Sequence, residues 1–482
     1  MSAIITEKFR QHNATQFHES FSESSGNVYY LMIGKSSPFT SATSGGSDAS
    51  PPTPADDVTS EFYTWDSAIA SKKITSTNIS FAIPRRDYSS TAKFDMYEHD
   101  ISSSNTTTSG ATNLFDSTFF FKTEDNRVYK VLDNFGGASA IGGSKPTFDG
   151  IDTVGNYKCM FMYTITASEQ QAFLTTDFMP VSTDSTVSAA AVDGALDTVK
   201  IVAAGSGGTD GTHTDIDIRG DGTGGKVSVT ISSGGVTAVS VTTAGTGYTF
   251  GTINDSDINT AAGSGSLSGS NLKVIIPPKG GHGSNAVDEL GGHYVMMQAS
   301  LEGADGDDFL TQNDFREISL VVDPTTFGTS SVPSSTELLT ARNVYAVKFD
   351  GTPGTFQVDE KIEQATTTAV GKVVAWDSTL KILYYVQERF ADHGTGGTNT
   401  GGYIAFSTTA TITGASSNAT GTPDATADSA VTLAGGNTIT FTNGYANPEL
   451  QPDSGDIIYR ETRKPISRAT DQTEDIKVIV EF

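Results

Sequence analysis

The glycine-rich stretch Gly220–Val227, GDGTGGKV, is the part of the chain whose spacing comes nearest to nucleotide-binding chemistry. Gly220, Gly222 and Gly225 fit GxGxxG, a pattern in which backbone amides can cradle a phosphate. Val227, however, stands where a phosphate-binding loop places the Ser or Thr that meets magnesium. The following residues, KVSVTIS, alternate like a strand, so the helix N-terminus that would hold the phosphate is missing. The motif predicts a glycine turn and no bound cofactor.

Other candidate ligands and bases are scattered. Six acidic residues could supply oxygens to calcium, but Arg219 occupies the third ligand place of an EF-hand, and solvation of turns explains them better; whether any acidic turn binds calcium stays open. These residues are Asp215, Asp217, Asp221, Asp305, Asp307 and Asp308. Arg219–Asp221 also spells the adhesion motif RGD, a string that arises often by chance in turns.

The seven histidines show no metal-ligand spacing, and His293 is expected to pack or cap. No catalytic, cofactor or metal residue is predicted.

Two basic clusters remain as candidate sites. Arg85 and Arg86 follow Pro84 and precede Asp87, and Arg460, Arg463 and Arg468 precede the last alternating strand of the chain. A guanidinium can bond a carboxylate with two parallel hydrogen bonds, so arginine suits the fixing of one segment or subunit against another. We predict that Arg85, Arg86, Asp87, Arg460, Arg463 and Arg468 form structural locks or interaction sites. The alternative is a solvated basic face that contributes little to stability.

Composition limits the possible partners. The 482 residues carry 56 acidic and 30 basic side chains, a net charge of −26, so nucleic acid and anionic membranes are not expected to bind. No run of about 18 apolar residues predicts a membrane span, and the N-terminus lacks the pattern of a secretory signal. The single cysteine, Cys159, cannot form a disulfide within the chain, and alternation in NYKCMFMYTI predicts that it is buried. These features fit assembly in a reducing cytoplasm.

Apolar periodicity predicts mostly strands. We expect helices over residues 2–23 and 61–70, a loop over 36–57 and a glycine loop over 393–402. Predicted strands are 28–33, 79–83, 117–122, 127–132, 157–166, 318–322 and 476–482. A second β-rich stretch, about 347–440, contains the segments 356–362, 371–377 and 380–387. The segment between Tyr459 and Ile476 contains Pro465 and is expected to be an extended, rigid connector.

An internal repeat marks a change of composition between Val192 and Pro277. Residues 199–218 match residues 239–258 at 10 of 20 positions, an offset of 40 residues. Each copy reads as a strand, a glycine turn and a polar edge, which predicts a small all-β module. The predicted fold is mainly β with a few short helices (α+β), multi-domain, with nested insertions of sandwich-like or barrel-like modules. The predicted parts are core 1–190, inserted module 191–278, core 279–346, second inserted module 347–440 and core C-terminal segment 441–482.

Four collinear blocks at both ends of the chain carry a family resemblance. Within the last block stand GxxIY at Gly455–Tyr459, an Arg-x-Pro-Ile element at Arg463–Ile466 and DQTE at Asp471–Glu474. The blocks are NVYYLMIGKSSPFTS (27–41), IPRRDY (83–88), FREISLVVDP (315–324) and SGDIIYRETRKPISRATDQTEDIKVIVEF (454–482). Together they resemble the baseplate wedge subunit known as gene product eight of T4-type contractile-tailed phages.

The resemblance implies a structural function without catalysis. It implies a homodimeric subunit that links other wedge proteins in the six-fold baseplate of the virion tail, assembled in the host cytoplasm. The alternative, motivated by the glycine-rich repeats, is a receptor-binding or polysaccharide-depolymerising tail component. A depolymerase would show many coils of a β-helix repeat, and this chain has two clear copies.

Overall fold

The computed structural model describes residues 4–23, 26–40, 45–302, 308–389, 403–407, 409–426, 430–469 and 472–482. Strands hold 39% and helices 11% of the chain, so the prediction of a mainly β fold with short helices is confirmed. The α-helices of the described residues are α1 (Glu7–Ser20), α2 (Val58–Asp66), α3 (Ala167–Phe173), α4 (Ser185–Ala190), α5 (Asp255–Ala261) and α6 (Ala286–Glu289). None of the helices described is both long and apolar enough to cross a membrane.

The strands are short and occur throughout the sequence. Those before residue 280 are β1 (Tyr29–Gly34), β2 (Ala68–Ile74), β3 (Ile79–Pro84), β4 (Phe120–Lys122), β5 (Arg127–Asp133), β6 (Ile151–Val154), β7 (Tyr157–Thr164), β8 (Phe178–Pro180), β9 (Val199–Ser206), β10 (Gly211–Asp217), β11 (Arg219–Gly220), β12 (Lys226–Ser232), β13 (Gly235–Thr243), β14 (Gly251–Thr252) and β15 (Ser268–Val274).

The later strands are β16 (Tyr294–Glu302), β17 (Asp314–Val322), β18 (Thr340–Arg342), β19 (Tyr345–Lys348), β20 (Lys361–Gln364), β21 (Ala369–Asp377), β22 (Ile382–Val386), β23 (Ile412–Gly414), β24 (Thr420–Gly421), β25 (Ala430–Thr432), β26 (Thr438–Thr440), β27 (Tyr445–Ala446), β28 (Asp456–Ser467) and β29 (Thr473–Glu481). The terminal alternating strand predicted from the sequence is therefore present as β29.

Contacts divide the chain into two compact units. Unit 1 is Met1–Phe17, Ser80–Met296 and Ile479–Phe482, and unit 2 is His18–Ile79 and Met297–Val478. The predicted division into five parts is a finer description that this division leaves untested, and it stays a prediction.

Unit 1 has an aromatic core and a smaller second core. The first is built around β4, β5 and β7, whose sheet has the order β4-β5-β7-β6, and it includes Phe119, Phe121, Tyr129 and Cys159. Cys159 is buried as predicted, and burial raises the pKa of its thiol to about 12. Its other sheets include those with the orders β10-β12-β13, β11-β14 and β15-β9.

The buried residues of the second core of unit 1 run from Leu196 to Val274 and so lie within the predicted module 191–278. The two repeat copies differ in structure: residues 215–217 lie in β10, whereas the equivalent residues 255–257 begin α5, which extends past the end of the second copy to Ala261. The expectation of an all-β module is therefore wrong at α5. Asp255 and Asp257 favour a helix in its first turn, and Ile258 anchors the helix by complete burial.

Unit 2 contains two main sheets. The five-stranded sheet has the order β18-β2-β1-β17-β28, and β1 pairs with β17 from Tyr29↔Val322 to Gly34↔Glu317. The seven-stranded sheet has the order β24-β23-β20-β21-β22-β19-β27 and packs around residues such as Phe349, Trp376 and Tyr385.

Local predictions hold best for strands. The helix predicted over 61–70 is wrong beyond Asp66, because residues 68–70 pair with β1 as the start of β2 and are completely buried there. The helix predicted over 2–23 is present as α1 (Glu7–Ser20), in which Phe17 packs against Phe482 whereas Phe9 is half exposed. The predicted glycine loop at 393–402 lies outside the described residues.

Candidate functional site

Arg85 and Asp87 pair with each other at the end of β3. Arg85 Nε lies 3.1 and 3.0 Å from the two carboxylate oxygens of Asp87, and Arg85 Nη1 donates to the Thr175 carbonyl at 2.8 Å. Lys122 Nζ stands 3.5 Å from Asp87. Burial opposes ionisation of Asp87, but Arg85 and Lys122 outweigh it and lower the pKa of this carboxyl. Arg85 thus contacts both Asp87 in the turn after β3 and the segment before β8, and the role of the two residues as a lock stays a prediction.

Arg86 points elsewhere and lines a polar cavity of about 360 Å³ within unit 1. Its guanidinium carbon lies 4.4 Å from the centroid of Phe120, and Nη2 donates to the Phe115 carbonyl at 3.4 Å. Burial lowers the pKa of Arg86 to about 10, although Asp95 and Asp116 counteract it. Among the described residues, Arg86 Nη1 is buried without a hydrogen-bond partner.

His293 lines the same cavity and is buried, as expected for a packing histidine. Its Nδ1 lies 3.8 Å from Glu7 Oε2 and its Nε2 lies 4.0 Å from Glu481 Oε1. Burial lowers the pKa of His293, and the two carboxylates oppose that shift. The cavity thus brings Arg86 and His293 together, whereas Arg85 and Asp87 do not line it.

The three arginines of the C-terminal cluster have different environments within unit 2. Arg460 Nε lies 2.6 Å from Glu317 Oε1, whose side chain is buried and also accepts from the Thr64 hydroxyl. Arg468 is completely buried, with Nε 2.8 Å from Glu474 Oε2 and Nη1 donating to the Leu310 carbonyl at 3.0 Å. Their role as locks stays a prediction.

Arg463 differs from both. Its side chain is 41% exposed, and its nearest carboxylate contact is Glu461 Oε1 at 4.0 Å. This separation exceeds hydrogen-bond distance. The predicted cluster therefore splits into two inward arginines and one outward arginine. As predicted, the described part of the connector is extended: up to Ser467 it belongs to β28, which pairs with β17, and from Thr473 it belongs to β29.

Other buried cations were missed by sequence reasoning. Arg389 bonds both oxygens of Asp66 at 2.9 Å through Nε, and Arg316 bonds both oxygens of Asp48 at 2.9 Å through Nε and Nη2. In unit 1, the completely buried Lys130 pairs with Glu289. No local signal reveals these pairs, because their members are 323, 268 and 159 residues apart in sequence.

The glycine motif is a packed turn. A Cβ at Gly222 would lie 2.4 Å from the ring of Tyr248, and β12 rather than a helix follows the motif. Both charged residues of the RGD string are tied within the module: Arg219 bonds Asp257 at 2.6 and 2.7 Å, and Asp221 accepts from the backbone of Thr249 at 3.0 Å.

The acidic candidates are partly neutralised by their own chain. Lys226 Nζ lies 2.7 Å from Asp215 and 3.1 Å from Asp217. In the part of the chain that the structure describes, no group of three or more His, Cys, Asp or Glu side chains is arranged to hold a metal ion. Asp305 and Asp307 lie outside the described residues, and Asp308 accepts from the Thr340 hydroxyl at 2.7 Å.

Comparison with protein families gives one match. Residues 3–135 match the family model described as Phage-Gp8: Bacteriophage T4, Gp8. The resemblance to gene product eight is confirmed over this range, which includes the blocks 27–41 and 83–88; the blocks 315–324 and 454–482 lie outside the match. The matched range contains α1, β1 and the IPRRDY segment. The two arginines of this segment, Arg85 and Arg86, contact different parts of unit 1. This family is a structural component of the baseplate wedge in the virion tail, so the inferred location in the tail baseplate is supported. A search of the curated proteins finds no match.

Proposed function

We propose that this chain is a structural subunit of the baseplate wedge of a contractile-tailed phage, where it links other wedge proteins in the six-fold baseplate. The observation that carries the proposal is the match of residues 3–135 to the Phage-Gp8 family. The subunit acts as a homodimer, and no catalytic step is part of its function.

Ion pairs between distant parts of the sequence support a structural role. Asp66, Asp48 and Glu289 each bind a buried cation from a distant part of the sequence. Removing one partner from such a buried pair leaves an uncompensated charge, so the pairs restrict the arrangements that each unit can adopt. A rigid subunit transmits force between its neighbours with little internal deformation.

An electron-microscopy map of the intact tail that carries this chain tests the proposal. We expect density for unit 1 and unit 2 at six-fold related positions in the baseplate. Density confined to a fibre tip, or absence of the chain from purified tails, would contradict the proposal. Sedimentation of the purified chain at micromolar concentration tests the homodimer separately, and a monomer would reject that part alone.

The depolymerase alternative has its own assay. Incubation of the chain with capsular or surface polysaccharide of the host, followed by measurement of reducing ends, is expected to show no increase over a boiled sample. A steady release of reducing ends would replace the structural proposal with an enzymatic one.

A further inference from the structure

A bulge interrupts β28 where it pairs with β17. Thr462 pairs with Glu317 and Ile466 pairs with Phe315, so a single residue of β17, Arg316, faces three residues of β28. Those three are Arg463, Lys464 and Pro465. A bulge redirects side chains out of the regular ladder, and proline cannot donate a ladder hydrogen bond. We call Arg463–Pro465 the basic bulge.

The side chains of β17 and β28 have different surroundings at the bulge. Arg316 is buried and bonds Asp48, Asp314 and the Ser36 carbonyl. Arg463 is 41% exposed and Lys464 is exposed. Among the described residues, no ion pair or hydrogen bond joins the Lys464 side chain to another residue, and the carboxylate that Arg463 contacts, Glu461, is 4.0 Å away.

Among the described residues, the two cations of the basic bulge lack the closely bonded carboxylate that the neighbouring arginines have. With 56 acidic and 30 basic residues, most cations have carboxylates available, and the neighbouring Arg460 and Arg468 both use them. Beyond about 8 Å the repulsion between this acidic chain and an acidic partner is screened at physiological salt. The local field of the basic bulge therefore decides what binds next to it.

We infer that the basic bulge is a docking site for an acidic surface segment of a different baseplate protein, with its carboxylates placed against Arg463 and Lys464. This inference rests on the proposed function and adds the surface and the chemistry of the partner. Charge complementarity favours an acidic partner, and Pro465 holds the backbone of the bulge so that little order is lost on binding.

Incorporation into tails tests the inference. Phage lacking its own copy of the chain is supplied with the wild type, with R463E/K464E, or with K93E/K279E, and the chain is quantified in purified tails by mass spectrometry. Lys93 and Lys279 are exposed, and the control changes the net charge by the same amount. We expect R463E/K464E to reduce incorporation at least about tenfold while K93E/K279E stays near the wild type.

Each other outcome has a defined meaning. Equal incorporation of both double variants, or equal loss in both, overturns the inference, whereas absence of the wild type from tails overturns the proposed function instead. Thermal unfolding of the purified variants shows whether R463E/K464E folds; if it does not, R463Q/K464Q replaces it, with K93Q/K279Q as its control. If R463E/K464E lowers self-association in sedimentation and K93E/K279E does not, the occupant is a second copy and the inference of a different partner is overturned.

Discussion

Replacement of a single charged residue is expected to lower the free energy of unfolding by very different amounts, because the charged side chains differ in burial. Arg468→Ala would leave Glu474, itself almost buried, without its cation. We expect a loss of about 3–5 kcal/mol in the free energy of unfolding, the range for a broken buried pair. Arg463→Ala should cost less than about 1 kcal/mol, since its contact is exposed.

Urea unfolding of both variants measures this difference. Lys464→Ala, next to Arg463 and exposed, is the matched control for loss of a surface charge. A near-neutral Arg468→Ala would return the cluster to the alternative of a solvated basic face.

Glu289 makes stability depend on pH. Burial would raise its pKa, but Lys130 and His282 lower it to about 2, below the ordinary 4.5. A carboxyl whose pKa is lower in the folded state contributes stability above pH 4.5, and this contribution is lost as the pH falls toward 2. We expect Glu289→Gln to be much less stable than the wild type at pH 7, and the gap to narrow below pH 4.5.

Urea unfolding of wild type and Glu289→Gln across pH 3–7 checks this. Glu124→Gln, whose side chain is 77% exposed, serves as the control. A gap that stays constant across the pH range would contradict the assignment of the acid-dependent stability to Glu289.

At the scale of elements, the module from Val192 to Pro277 is joined to the rest of unit 1 by a few defined contacts. Glu98, which is buried, accepts from Lys200 Nζ at 2.6 Å and Lys273 Nζ at 2.7 Å. These two lysines are register partners on β9 and β15. One carboxylate therefore holds both strands that lead into and out of the module.

We predict that replacement of residues 192–277 by a short Gly/Ser linker leaves the aromatic core of unit 1 folded. The module has its own apolar core, and its entry and exit strands lie side by side, so a short linker can close the gap. The deletion should carry Glu98→Gln, because the carboxylate would otherwise lose both lysines. Soluble protein with one cooperative unfolding transition is expected, and insoluble protein would refute the prediction.

Elements with a strong alternating pattern were predictable, and those defined by tertiary contacts were not. β7 and β29 lie where alternation places them. In contrast, α5 occupies a repeat copy whose partner is a strand, since the burial of Ile258 and the bond from Arg219 to Asp257 decide its structure. The inward or outward direction of Arg460, Arg463 and Arg468 likewise depends on which carboxylates the fold brings near them.

At the scale of the whole molecule, distant parts of the sequence complete each unit. In unit 1, Arg10 pairs with Glu481 at 3.1 Å, Phe17 packs against Phe482 with centroids 5.2 Å apart, and the Phe482 amide donates to the His293 carbonyl. Blocks near both ends of the chain carry the family resemblance. The spacing of residues along the sequence, however, cannot reveal contacts between residues more than 400 positions apart.

We expect Phe482→Ala to destabilise unit 1 by about 1–2 kcal/mol, because it removes an aromatic contact and part of the apolar cover of α1. Hydrogen exchange of the α1 amides measures the effect locally and should show faster exchange there. Phe250→Ala, a change at an exposed phenylalanine, is the control. Unchanged protection of α1 would show that the contact with Phe482 adds nothing to its stability.

Val199 on β9 pairs with Val274 on β15, so the two ends of the module lie next to each other. This arrangement affects how the chain can change in evolution. A segment whose two ends emerge next to each other can be gained, lost or exchanged in a single recombination event without moving the strands of its host. Related baseplates could then carry unrelated decorations at this position while keeping the same aromatic core. Surface variation and assembly would be inherited separately, so a phage lineage could change what its baseplate displays without rebuilding the baseplate.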